Sequence, residues 1–164
     1  MPEQQIEKLI REVLSEEAQA NALTFVACLK EHEMLFERGG GYWEDKFYWM
    51  IRYKGEYVCF ILLNSSDNKD ESAGWTIWSD DSGSGGLADF PLDEHMNEII
   101  WKNVDVCGHC GGCKNIGGRR RTILGRDFDN VCITALKFVN PDAVAVECAK
   151  KVAEIRKDEI LRNM

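Results

Sequence analysis

The sequence predicts a single α+β domain over residues 1–164, with helices packed on one face of an antiparallel sheet of about four strands. Two observations support this prediction. Apolar residues recur at helical spacing near both ends of the chain, and two consecutive aromatic-rich segments are separated by a turn. The alternation of strands and helices that is typical of a Rossmann sheet is not seen. A length of 164 residues also fits one domain.

Residues 1–38 are predicted to form two N-terminal helices. The first helix carries an apolar stripe at spacings of three and four residues, made of Ile6, Leu9, Ile10, Val13 and Leu14. The second has a common apolar side, made of Ala22, Phe25, Val26 and Leu29. We expect this helix to end by Arg38, because the glycines at 39–41 cannot sustain it.

The four predicted strands are rich in aromatic and β-branched residues. Phe47–Tyr53 and Tyr57–Leu63 form a hairpin, because Lys54-Gly55 between them supplies a turn glycine. The remaining two strands are Trp75–Ser79 and Val131–Phe138.

Two further helices are predicted in the second half of the chain. One follows Pro91 and has an apolar side that includes Met96. The last begins at Asn140-Pro141-Asp142, where we expect Asn140 to be the N-cap and Pro141 the first helical residue.

A cluster of cysteines in the segment 107–132 is the most informative feature for function. Cys107, Cys110 and Cys113 form two overlapping C-x2-C pairs, whose glycine spacers allow the sulfur atoms to face one point. A structural zinc site typically has four N or S ligands at tetrahedral corners. Cys132 lies at a suitable separation to be the fourth, and His109 is the local alternative. The cluster therefore predicts a zinc site with a structural role, since four protein ligands leave no open coordination position.

Other interpretations of the cysteines remain open. Cys132 alone is equally compatible with a buried thiol, and an iron–sulfur cluster or no cofactor are the alternatives to zinc. Cys28, Cys59 and Cys148 lie within apolar patterns and are expected to be core thiols.

A thiol-redox function is a second hypothesis. The four residues Cys107-Gly-His-Cys110 resemble the active site of protein disulfide isomerases, in which the first cysteine is a stabilised thiolate. The glycines at 111 and 112 would break the helix that such a site requires after its second cysteine. A redox enzyme or sensor using Cys107 and Cys110 is therefore kept as an alternative.

Two other groups of residues could bind ligands. Arg119, Arg120 and Arg121 could bind an anion or nucleotide, although such arginines more often pair with the protein's own acids. Trp49 and Trp75 could line a pocket for a flat apolar ligand, or could instead fill the core.

Composition narrows the classes of partner and location. The formal net charge of −8 disfavours nucleic-acid binding. Neither a signal peptide nor an apolar run of membrane-spanning length is visible, so we expect a cytoplasmic protein without a membrane partner, in which thiols stay reduced. No nucleophile–base pair or common catalytic motif occurs, which favours a non-enzymatic function.

A combination of short motifs resembles a family of uncharacterised bacterial proteins of the Firmicutes type. The motifs are Tyr42-Trp43, Trp78-Ser-Asp-Asp-Ser82, Cys110-Gly-Gly-Cys113 and Phe128-Asp-Asn-Val-Cys132. The layout is also loosely similar to small YdhG-like α+β domains. The resemblance implies a bacterial cytoplasmic protein and no particular activity. The hypothesis from the residues is a non-enzymatic zinc module that binds a small molecule or a protein.

Overall fold

The computed structural model describes residues 2–38, 47–64, 74–79, 93–106 and 118–162, and it confirms the α+β class. The described helices are α1 (Pro2–Val13), α2 (Glu16–Glu31), α3 (Glu94–Lys102) and α4 (Ala143–Arg162). The described strands are β1 (Leu35–Arg38), β2 (Phe47–Tyr53), β3 (Glu56–Asn64), β4 (Gly74–Ser79), β5 (Val104–Val106), β6 (Arg119–Ile123) and β7 (Arg126–Val139). None of these helices combines the length and apolar character that crossing a bilayer requires.

The main sheet has five antiparallel strands in the order β1-β2-β3-β4-β7. Its central hairpin turns at Lys54 and Gly55, which both have positive φ, of 50° and 84°. This agrees with the predicted turn, because glycine adopts positive φ without a steric penalty. Strand β7 also pairs with β5 and β6, so it belongs to a second, three-stranded sheet as well.

The helices form one layer on the main sheet. Helix α1 packs against α2, α2 against α4, and α4 against α3, while α2 and α4 both contact β4. A row of directly paired residues on four neighbouring strands faces the core and is almost completely buried: Trp49, Ile61, Ile77 and Phe138. Paired residues on one sheet face lie close enough to pack together, so this row joins the strands beneath the helices.

The sheet is larger than predicted. The chain is not helical up to Arg38, because α2 ends at Glu31 and β1 follows from Leu35. His32 caps the helix, and Glu33 has a φ of 61°, so the chain reverses there and returns along β2. Strands β5 and β6 are too short or too charged to give a strand pattern in the sequence. Strand β7 begins at Arg126, five positions before the predicted start.

The start of α4 also differs from the prediction. Asp142, not Asn140, is the N-cap residue, since its side-chain oxygen accepts a hydrogen bond from the Ala145 backbone N–H at 2.8 Å. Asn140 has a φ of 46°, and its side chain accepts a hydrogen bond from the backbone N–H of Trp75 at 2.9 Å. Its own backbone N–H donates to the Trp75 carbonyl at 2.8 Å. Asn140 therefore ties β4 to the end of β7.

Candidate functional site

The first part of the cysteine segment, residues 107–117, lies in the sequence between β5 and β6, and both strands pair with the same residue of β7. Val106, which ends β5, and Arg119, which begins β6, are both paired with Val131. A strand residue has one neighbour on each side within a sheet, so β5 and β6 lie on opposite edges of β7 at this point. Cys107, His109, Cys110 and Cys113 lie outside the described residues. The backbone of Cys132 is part of β7, whereas its side chain lies outside the described part.

Gly118 lies against β7 just before β6 begins. A Cβ atom at this position would be 2.5 Å from the carbonyl carbon of Asn130 and 2.6 Å from its oxygen. Backbone atoms cannot yield to such a contact, so only glycine fits here. The C-terminal end of the cysteine segment is thus held beside Asn130, two residues before Cys132.

The arginine cluster is engaged with acidic residues of the hairpin that β6 and β7 form. Arg120 Nη2 lies 3.1 Å from Asp127 Oδ2, and its Nε lies 3.9 Å from Asp129. Thr122 donates a hydrogen bond of 2.6 Å to Asp127. The hydrogen bonds from Thr122 and Arg120 lower the pKa of Asp127. Arg119 is exposed on β6, and the side chain of Arg121 lies outside the described part.

Trp49 and Trp75 lie in the hydrophobic core. Their side chains are 0% and 1% exposed, and the ring of Trp75 packs against that of Phe25 at a centroid distance of 6.2 Å. The structure places both tryptophans as the core interpretation expects. A flat ligand would have to displace packed side chains to reach either ring.

A further group of potential ligands lies between α2 and α4. Cys28, His32 and Glu154 each offer one ligand atom, and these atoms lie within 4.8 Å of one another. Cys28 and His32 are one helical turn apart, which places them on the same side of α2. His32 Nε2 is 3.5 Å from Glu154 Oε1. Cys28 is half-buried, which differs from the core position expected from the sequence, whereas Cys59 and Cys148 are buried as expected.

Lysines surround this group of three residues. Lys157 Nζ lies 3.4 Å from His32 Nδ1, and Lys151 Nζ lies 3.5 Å from Glu154 Oε2. Burial raises the pKa of the Cys28 thiol, an effect that the positive charge of Lys150 partly offsets. The thiol is therefore protonated at neutral pH and is a weak nucleophile by itself.

An open groove lies near the N-terminal end of α4. It has a volume of about 430 Å³, and its lining includes His95, Asn103, Val139, Asp142 and Val144. Val139 and Val144 are exposed apolar residues at 56% and 45%. The groove therefore combines apolar contact area with a few polar groups, as small-molecule sites commonly do.

The group formed by Cys28, His32 and Glu154 was not identified from the sequence. The spacing of Cys28 and His32 on a predicted helix is the one available signal, since four residues separate ligands on one helical face. Glu154 could not be assigned, because its proximity depends on the packing of α4 against α2. No family model matches the chain, and no curated protein or solved structure matches it closely enough to indicate a relationship. The resemblance to Firmicutes-type and YdhG-like proteins therefore stays a prediction.

Proposed function

We propose that this protein is a non-enzymatic binding module in which zinc, held by Cys107, Cys110, Cys113 and Cys132, fixes the segment 107–132 to the small sheet. His109 is the alternative fourth ligand. The observation that supports the proposal is the pairing of both Val106 and Arg119 with Val131.

This pairing concerns the two described residues closest to the cysteines on either side, apart from Gly118. Val106 and Arg119 are about two strand spacings apart, which is roughly 10 Å. They lie on opposite edges of β7, which continues in both directions beyond Val131. Both described neighbours of the three cysteines therefore pair with the residue that precedes Cys132. This proximity supports Cys132 as the fourth ligand.

Strand β5 pairs with β7 only irregularly within the described part of the small sheet, and a metal ion would reinforce this pairing. Strand β5 has three residues, and its register shifts between Val104, paired with Leu136, and Val106, paired with Val131. A step of two residues along β5 therefore corresponds to a step of five residues along β7. This mismatch leaves few regular hydrogen bonds between the two strands. Because the free energy of metal ligation adds to the free energy of folding, zinc would stabilise this part of the chain.

The surface proposed to bind a small molecule or a protein is the groove at the start of α4. We propose this groove in place of a pocket lined by Trp49 and Trp75, because both tryptophans are buried in the core. Anion binding at Arg119 and Arg121 remains an alternative. It is weakened by the pairing of neighbouring Arg120 with Asp127 and Asp129.

Elemental analysis and thermal melting test the zinc proposal. Protein purified without chelator or a nickel column should contain zinc, and removal of the metal should lower Tm. Cys110→Ser should lose zinc and melt at the lower temperature. Cys148→Ala is the matched control for zinc content, since it removes a buried thiol on α4 outside the segment and should retain the metal. Metal-loaded protein whose Tm does not change on chelation would contradict the structural role.

The alternative redox function predicts a different result. If Cys107 and Cys110 form a redox pair, the reduced, metal-free protein should contain a thiol that is alkylated rapidly at neutral pH. Uniformly slow alkylation of the native, metal-free chain would exclude it.

A further inference from the structure

We propose that Cys28, His32 and Glu154 form a second, independent metal site that takes a divalent ion of the zinc class. The site lies between α2 and α4, on elements that do not include the cysteine segment. A thiolate, an imidazole and a carboxylate are all established zinc ligands. Three protein ligands leave one coordination position open for water or an exogenous ligand, unlike the closed site proposed for the cysteine segment.

The distances suit a shared ion. In a tetrahedral site with bonds of about 2.0–2.1 Å, the nitrogen and oxygen ligands are about 3.3 Å apart. His32 Nε2 and Glu154 Oε1 are 3.5 Å apart. A sulfur ligand would lie about 3.6 Å from each of them. All the ligand atoms already lie within 4.8 Å of one another, so no pair exceeds the tetrahedral sulfur separation by more than about 1.2 Å.

The same residues do not form a nucleophilic triad. In a Cys–His–Glu relay, the thiol and the carboxylate contact different nitrogens of the imidazole. Here Glu154 approaches Nε2, whereas Nδ1 faces Lys157. Lys157 thus contacts the nitrogen that such a relay would give to the thiol, while one ligand atom from each of the three residues lies within 4.8 Å of the other two. A metal ion requires ligand atoms that are grouped in this way.

The neighbouring lysines leave the proposed ligand atoms accessible. Lys151 contacts Oε2 of Glu154, so Oε1 stays available, and the side chains of His32 and Glu154 are 30% and 35% exposed.

Metal binding at Nε2 puts the imidazole proton on Nδ1, where it would face the Lys157 ammonium. Lys157 then has to leave this contact, and it already lies 5.0 Å from the centroid of the Tyr53 ring. Lys157 therefore opposes metal binding.

Titration of the reduced, metal-free full chain with Co²⁺ tests the proposal. In the Cys110→Ser background, which removes the contribution of the cysteine segment, we expect one equivalent to give a thiolate-to-cobalt charge-transfer band that disappears when Cys28→Ser is added. His32→Gln and Glu154→Gln should weaken the binding of this equivalent about tenfold or more. Lys157→Met should tighten it several-fold, which a purely structural role for the cluster would not predict.

Matched controls separate this site from the cysteine segment. Glu12→Gln removes an acid of α1 that pairs with a lysine four residues away, and it should leave Co²⁺ binding unchanged. Cys110→Ser should not remove the equivalent that depends on Cys28. If Cys28→Ser, His32→Gln and Glu154→Gln all bind as much Co²⁺ as the natural chain, with the same affinity and spectrum, the proposal is wrong whatever the outcome for the segment. Circular dichroism of each variant shows whether lost binding reflects lost folding.

Discussion

Gly118 and Asn130 approach each other so closely that no side chain can be placed between them. An added Cβ atom would be 2.5 Å from the Asn130 carbonyl carbon. We expect Gly118→Ala to lower the free energy of unfolding by about 1–3 kcal/mol, because β6 must move away from β7. Urea denaturation measures this loss. If the close contact between Gly118 and Asn130 also positions the cysteine segment, the variant should bind zinc more weakly.

Gly125→Ala is the control for this prediction. Gly125 has a φ of 82°, and a Cβ atom there would meet no atom within 4 Å. The variant should lose about 1–2 kcal/mol through backbone strain alone, with zinc affinity unchanged. A Gly118→Ala protein as stable as the natural chain would show that the two strands are not packed as described.

The buried ion pair of Arg156 and Glu159 should be sensitive to loss of one partner. Both side chains are 7% exposed, and Arg156 Nη1 lies 2.7 Å from Glu159 Oε1. Arg156 also donates a hydrogen bond of 2.8 Å from Nε to the Tyr57 carbonyl. Glu159→Gln removes a carboxylate at hydrogen-bonding distance from the buried guanidinium, while Glu56 Oε2 stays 4.0 Å from Arg156 Nη2. We therefore expect a loss of about 1–3 kcal/mol in chemical denaturation. The partly exposed pair of Glu147 and Lys150 should contribute less than about 1 kcal/mol, as Glu147→Gln can show.

The Cys148 thiol predicts a loss of stability at alkaline pH. Burial, followed by the charges of Asp93 and Asp142, raises the pKa of Cys148 from 9.0 to about 11. As the pH rises, the thiol of the unfolded chain ionises before that of the folded chain. The contribution of Cys148 to the free energy of unfolding is therefore fully present below pH 9 and is lost as the pH rises towards 11. The loss amounts to roughly 2–3 kcal/mol at most. Between pH 8 and 11 the free energy of unfolding of the natural chain should therefore fall more steeply than that of Cys148→Ala. Parallel curves would contradict the prediction.

Two residues at the start of α4 should have separable effects. Asp142→Ala removes the N-cap hydrogen bond to Ala145 and should cost about 1 kcal/mol. Asn140→Gly keeps the positive φ but removes the side-chain acceptor for the Trp75 N–H. It should expose the Trp75 amide to faster hydrogen exchange, whereas Asp142→Ala should not. Equal effects of both substitutions on this amide would argue against the separate assignments.

Regular elements of the fold could be predicted because their patterns are local. The hairpin of β2 and β3 is such a case, since its aromatic segments and its turn at Lys54 and Gly55 are contiguous. Strand β5 could not be predicted, because three residues carry no period. The N-cap of α4 was misassigned because Asn140 and Asp142 are both good caps. The contact of Asn140 with Trp75, 65 residues away, decided between them.

The candidate sites differ in how much the sequence could reveal. The spacing of Cys107, Cys110 and Cys113 is a local signal, and the zinc site it predicts remains a proposal. The approach of Glu154 to His32 depends on how two helices pack, which no local pattern encodes. The burial of Trp49 was likewise undecided, because both faces of the hairpin are apolar and alternation could not identify the core side.

The interior position of β7 has a consequence for synthesis on the ribosome. This strand pairs with β4, yet among the described strands it is the last to be translated. Until Val139 has left the exit tunnel, the nascent polypeptide presents β4 with an open edge, and such edges readily pair with other chains. Contacts between sequence-distant strands also form slowly. Truncated translation products that stop before Arg126 should therefore be recognised by chaperones and proteases.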